Sequence, residues 1–150
     1  MKGWYFNSII GAPSMRFINL KVIDQDTGSP SRRLCNMFWG TINWNNLAAQ
    51  LGGKVKLFDV ACGRGHYGLK YRDYLGKNFD DYTGLDIYKH VDFPKIFSHI
   101  NDKAENVKDY IIDHNLIVSQ SALEHIEHDI DVLVSSVDMQ RLMGRPFLQI

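Results

Sequence analysis

The chain has 150 residues, 17 basic and 17 acidic, with a formal net charge of zero and 45% hydrophobic residues. That length supports one domain with a real core, and the balanced charge leaves no electrostatic footprint for nucleic acid. Its 2 cysteines rule out a disulfide framework or a zinc site, and no stretch reads as a membrane span or secretory leader, so a cytoplasmic protein is expected.

Residues 1–30 read as an N-terminal arm or an extra strand, with an apolar run between Arg16 and Asp24. Asp26 to Pro30 is a turn, and Ser29 or Ser31 is available to cap the helical segment after it. A helical pattern then runs from Arg32 to Leu51 on Leu34, Phe38, Ile42, Leu47 and Leu51, with Gly40 as a possible break and Gly52-Gly53 as the stop. Arg32, Arg33, Trp39 and Trp44 are candidates to line a pocket, against the simpler reading of the tryptophans as core.

Val55–Val60 reads as the first strand. The helix after it places Tyr67, Tyr71, Tyr74 and Leu75 on one face and ends at Gly76. Tyr82–Ile87 is a second strand, and Pro94 opens a short helix through Phe97. The third strand is either Phe97–Ile100 or nothing regular. Glu105–Ile112 reads as helix and Leu116–Ser119 as the fourth strand. A further helix carries Ile130, Leu133, Val134 and Val137 inward and closes near Gly144. Pro146–Ile150 opens a fifth strand in which the chain stops. Residues 31–150 are therefore expected to be the core of an α/β protein, doubly wound and mostly parallel, incomplete at its C-terminus. A further segment or a partner chain would complete it.

The stretch Leu57-Phe58-Asp59-Val60-Ala61-Cys62-Gly63-Arg64-Gly65-His66-Tyr67-Gly68 carries the chemistry. An apolar strand passes a carboxylate, crosses a glycine-rich turn and enters a helix, bringing backbone N–H groups close to a ligand. Asp86, at the end of the second strand, stands where an acid would hold a ribose. Gly63, Gly65 and Gly68 satisfy the spacing of dinucleotide-binding loops, so a nicotinamide cofactor, S-adenosylmethionine and a ligand-free tight turn are all open. Asp59 favours the second, because a carboxylate repels a pyrophosphate and attracts an ammonium or sulfonium.

An acid followed by Gly-x-Gly at this spacing resembles the first motif of the class I S-adenosylmethionine-dependent methyltransferases, whose fold is Rossmann-like. The resemblance runs from about Leu57 to the C-terminus. It implies that Asp59 orients the cofactor's methionine amino group, that Ala61, Cys62, Gly63 and Gly65 form the loop along it, and that Asp86 grips the ribose. It also implies that Ile87 packs on the adenine and that Asn101-Asp102-Lys103-Ala104-Glu105 runs along the adenine edge, with Asp102 and Ala104 as its contacts. Ser119 would then begin the turn beside the methionine.

Leu123-Glu124-His125 further resembles the ubiquinone-biosynthesis O-methyltransferases, in which a Glu-x-x-Glu-His cluster holds a divalent cation. Ser121 replaces the first carboxylate of that cluster, so no metal is expected. His125 is the candidate general base, with His66 second. His128 and Glu127 read as a solvated face. The function expected is methyl transfer from S-adenosylmethionine to a small-molecule acceptor, O-methylation preferred, this chain holding the cofactor-binding half. An NAD(P)-dependent oxidoreductase and a non-catalytic interaction module are the alternatives.

Overall fold

The computed structural model describes residues 30–120 and 122–150, which fall into a unit ending at Leu47 and a unit from Ala48 to Ile150. Of the arm or strand expected over 1–30, residues 1–29 lie outside the described residues and Pro30 opens a helix; the caps expected from Ser29 and Ser31 and the side chains of Arg32 and Ser121 lie outside them too.

The single helix expected over Arg32–Leu51 is two helices, α1 (Pro30–Thr41) and α2 (Trp44–Gln50). Polar side chains make the break, and Gly40 lies inside α1. Thr41 Oγ1 donates to Phe38 O at 2.7 Å and closes the first helix. Asn43 Oδ1 then accepts from Asn46 N at 3.1 Å, an N-cap that starts a new one. Gly53 N donates to Ala48 O at 2.7 Å and ends α2 at the expected glycine pair.

From there the chain builds β1 (Val55–Val60), α3 (His66–Leu75), β2 (Phe79–Asp86), β3 (Ser98–Asn101), β4 (Leu116–Val118), α4 (Asp129–Leu142) and β5 (Leu148–Gln149). The strands form one sheet in the order β3-β2-β1-β4-β5, with every adjacent pair parallel. This is a Rossmann-like, doubly wound α/β sheet, and its strand order reverses between β1 and β4.

Strand alternation sorts the core into two layers. Phe58 and Val60 of β1, Leu85 of β2 and Ile117 of β4 share a core with Ala104, Val107, Ile111 and Val132, beneath α4 and a 3-10 turn at Ala104–Asp109. The opposite face carries Tyr82 beneath α3, so close that a Cβ on Gly68 would lie 3.0 Å from Tyr82 Cε2. Helices therefore cover both faces, as a parallel sheet requires.

Several local expectations shift. Pro94–Phe97 is a turn closed by Phe97 N on Pro94 O at 3.1 Å, with no helix. The Phe97 ring is drawn onto Tyr82, centroids 4.7 Å apart, which carries the chain straight into β3. The helix expected over Glu105–Ile112 is the 3-10 turn at Ala104–Asp109. On α3, Tyr71 and Leu75 are buried as expected, but Tyr74 is exposed.

The inward face of α4 is Val132, Ser136 and Gln140, while Ile130 and Val134 of the expected stripe are exposed. Both polar members donate to acceptors inside, and the buried Gln140 Oε1 has no partner among the described residues. Ser136 Oγ donates to Gln149 Oε1 at 2.8 Å and Gln140 Nε2 to Ile111 O at 2.7 Å. No described helix is long and apolar enough to cross a membrane.

Candidate functional site

β1 ends in a left-handed residue, Ala61 at φ 58°, rare for a side chain bearing a Cβ. This turn aims the glycine loop across the end of β2. Cys62 N donates to Leu85 O at 3.1 Å and Gly63 N donates to Asp86 Oδ2 at 2.8 Å. The other Asp86 oxygen accepts from Tyr88 N at 3.0 Å. Two backbone donors thus fix the Asp86 carboxylate at the strand end.

A cavity of about 460 Å³ opens there. Its walls come from the C-terminal ends of successive strands: Ala61 after β1, Leu85, Asp86, Ile87 and Tyr88 at and after β2, and Asp102 to Glu105 after β3. Ala122, His125, Ile126 and Glu127 close it from the segment after β4. Ligands of open α/β sheets bind in such a crevice, beside the reversal of strand order. Asp86, Asp102, Glu105 and Glu127 outnumber Lys103 on the walls, giving a field that favours cations.

Of the residues singled out in the sequence, Ala61, Asp86, Ile87, Asp102, Ala104 and His125 meet on this cavity. Asp59, Cys62, Gly63, Gly65 and Ser119 are not on its wall. Asp59 points to the α3 face, opposite Leu85, and is 3% exposed. It accepts from Tyr82 Oη at 2.7 Å. Burial pushes its carboxyl up to about 7; the Tyr82 hydrogen bond opposes that shift and the nearby Asp86 charge adds to it.

Cys62 packs over β2, where a Cβ on Gly84 would come within 2.5 Å of its Sγ. Burial, reinforced by Asp59 and Asp86, pushes its thiol well up, so it stays protonated. Ser119 Oγ donates to Val60 O at 3.1 Å and faces a separate void of about 10 Å³ near Val132 and Ser136, hardly the size of one water.

The glycine loop is closed upon itself. Gly65 N donates to Cys62 O at 3.0 Å and Gly68 N to Gly65 O at 3.1 Å. With Cys62 N and Gly63 N already bonded to β2, these loop donors all have acceptors within the chain. Gly65 is also sterically required, because a Cβ there would lie 2.3 Å from Cε2 of the buried Phe93 ring, and its φ is 68°. An ion pair between Arg64 and Asp92, 2.9 Å, ties the same loop to the segment bearing Phe93.

Sequence reasoning did not name Leu85, Tyr88, Ala122, Ile126 or Glu127 as site residues, while Lys103 and Glu105 lie in the segment it set along the adenine edge. All flank residues it did name, so neighbourhood was the available signal. Tyr82 and Phe93 had no such signal, since their partners Asp59 and Gly65 are distant in the chain. Among the described residues no cluster of three or more His, Cys, Asp or Glu could hold a metal.

No family profile and no curated protein matches the chain. Among solved structures it is similar to 1,6-didemethyltoxoflavin-N1-methyltransferase of Burkholderia thailandensis, with bound 1,6-didemethyltoxoflavin and S-adenosylhomocysteine. That match has 13% identity and a TM-score of 0.46, covering 83% of this chain and 63% of the other. It is also similar to the plantazolicin methyltransferase BpumL in complex with SAH, at 18% identity and a TM-score of 0.45, covering 75% of this chain and 50% of that one. The chain thus spans less than two thirds of the length of either protein.

Proposed function

We propose that the chain binds S-adenosylmethionine in this cavity and transfers its methyl group to a small-molecule acceptor. The observation that carries the reading is the Gly63–Asp86 hydrogen bond at 2.8 Å. It presents a fixed carboxylate to a vicinal diol at the end of β2. It also occupies one loop N–H that a pyrophosphate would need, and the N–H groups of Cys62 and Gly65 are occupied likewise. A carboxylate-rich cavity suits a sulfonium compound better than a dinucleotide. Its volume of about 460 Å³ is in the range of small-molecule sites.

When bound, S-adenosylmethionine supplies an electrophilic methyl carbon on a sulfonium leaving group. The chain's own residues hold and align. Asp86 accepts from the ribose hydroxyls, and Ile87 and Ala104 offer apolar contact to the base. Ala122 and Ile126 exclude water from the far wall. His125 is the side chain on that wall that takes the proton from a hydroxyl acceptor, which makes O-methylation the preferred chemistry. Asp59, on the other face of the sheet, is assigned to holding β1 against β2 through Tyr82.

Calorimetric titration with S-adenosylhomocysteine tests the reading, with NADH as the competing ligand and Asp86→Ala alongside. Binding near the micromolar range that Asp86→Ala abolishes, with NADH silent, is the expected result. NADH binding in place of the nucleoside thioether would overturn it in favour of an oxidoreductase. A folded chain that binds neither would leave an interaction module.

A further inference from the structure

The segment 87–96, between β2 and β3, holds most of its apolar side chains outward. Ile87, Tyr88 and Ile96 are each more than half exposed, and Val91 is 105% exposed, more accessible than in an extended peptide, so it projects from the surface. The segment is nonetheless pinned. Phe93 is its buried anchor, with its ring centroid 4.8 Å from that of His99 on β3, and Phe93 N donates to His90 O at 3.1 Å. Asn101 Nδ2 donates to Ile87 O at 2.6 Å and Arg64 pairs with Asp92 at 2.9 Å. A fixed segment that leaves this much aliphatic and aromatic surface in water marks a place where something else is buried against it.

Charge selects the partner. Lys89 and Lys95 stand on either side of Val91 in the chain, both exposed and neither in an ion pair among the described residues. The one acid within 87–96, Asp92, is taken up by Arg64 and has His66 Nε2 at 3.8 Å. Free cations thus flank a projecting apolar tip. The contrast is α4, where exposed Ile130, Val134 and Leu142 share their helix with Asp129, Asp131 and Asp138, and Arg141 lies 3.7 Å from Asp138. A projecting aliphatic side chain between lysines matches the boundary of a lipid bilayer. There the tip enters the acyl region while the ammonium groups stay among anionic headgroups.

We propose that the segment 87–96 is a peripheral docking surface for an anionic lipid bilayer, with Val91 and Ile96 entering the interface and Lys89 and Lys95 meeting the headgroups. Ile87 and Tyr88 also belong to the cavity wall, so docking sets the cavity beside the bilayer. The surface is independent of what the cavity binds.

The test is sedimentation of the full chain with vesicles of phosphatidylcholine alone and of phosphatidylcholine containing about one third phosphatidylserine, with thermal midpoints recorded for every variant. The wild type should bind the anionic vesicles and not the neutral ones, and added salt should weaken the binding. Val91→Ser should weaken it about tenfold through lost apolar burial, and Lys89→Gln with Lys95→Gln about twenty-fivefold, roughly fivefold for each cation. Leu142→Ser, at the exposed end of α4, should change nothing. A wild type that ignores anionic vesicles, binds neutral ones equally, or loses binding as much in Leu142→Ser as in Val91→Ser would overturn the proposal. Self-association in sedimentation velocity that Val91→Ser abolishes, with vesicles ignored, would overturn it in favour of a second copy of this chain.

Discussion

The phenol of Tyr82 donates a 2.7 Å hydrogen bond to Oδ2 of Asp59, joining β2 to β1 on the face beneath α3, where both side chains are buried. An acid expected at the cofactor is, in the fold, the acceptor of an interstrand bond in the core. Tyr82→Phe leaves that acceptor without its donor. The variant should lose about 1–3 kcal/mol in urea denaturation while keeping its affinity for S-adenosylhomocysteine within about twofold.

The same pair sets a pH dependence. Burial raises the Asp59 carboxyl to about 7 in the folded chain, from 3.8 when exposed. Between those values the folded state holds a proton that the unfolded state has released. The contribution is fully present below about pH 4, is lost as pH rises to about 7 and is flat beyond, with a span on the order of 4 kcal/mol. Urea titrations from pH 4.5 to 8 should show the wild type losing stability relative to Asp59→Asn over this window. A difference independent of pH would refute the account.

The glycine loop contains two glycines that differ in kind. A Cβ at Gly65 collides with Phe93 at 2.3 Å and meets a φ of 68°; a Cβ at Gly63 meets nothing within 4 Å, at a φ of 55°. Gly65→Ala should therefore cost about 2–4 kcal/mol and Gly63→Ala about 1 kcal/mol. Replacing Phe93 by Ala in the Gly65→Ala background should recover part of the loss, measured as a double-mutant cycle.

On α4 the polar residue matters more than the apolar one. Gln140 is fully buried and bonds Ile111 O, whereas Ile130 is 63% exposed. Gln140→Ala should cost about 1–3 kcal/mol, and Ile130→Ser should stay within about 0.5 kcal/mol. Thermal denaturation of the two variants checks the order. The reverse order would restore the stripe read from hydrophobicity alone.

Local pattern carried much of the molecule. β1 stands where its apolar run stands, Val55–Val60, because a run of strand-forming residues bounded by glycines has one reading. Asp86 ends β2 as its position in the sequence requires, and Ala61, Ile87, Ala104 and His125 reach the same cavity because each lies just past a strand or its turn. Adjacency to strand ends is a property of the sequence, so it survives folding.

What the tertiary structure alone decided is who meets whom across distance. Asp59 faces α3 and not the cavity, because the pleat puts it on the side of Tyr82. Asp102 is saturated because Asn106 and Tyr110 curl back over it in a 3-10 turn where helix was expected. Ser136 Oγ and Gln140 Nε2 turn inward to donate to Gln149 Oε1 and Ile111 O. A linear pattern encodes period and punctuation. It does not encode hydrogen-bond partners brought from other elements, and in this chain those partners determine which carboxylates remain open to a ligand.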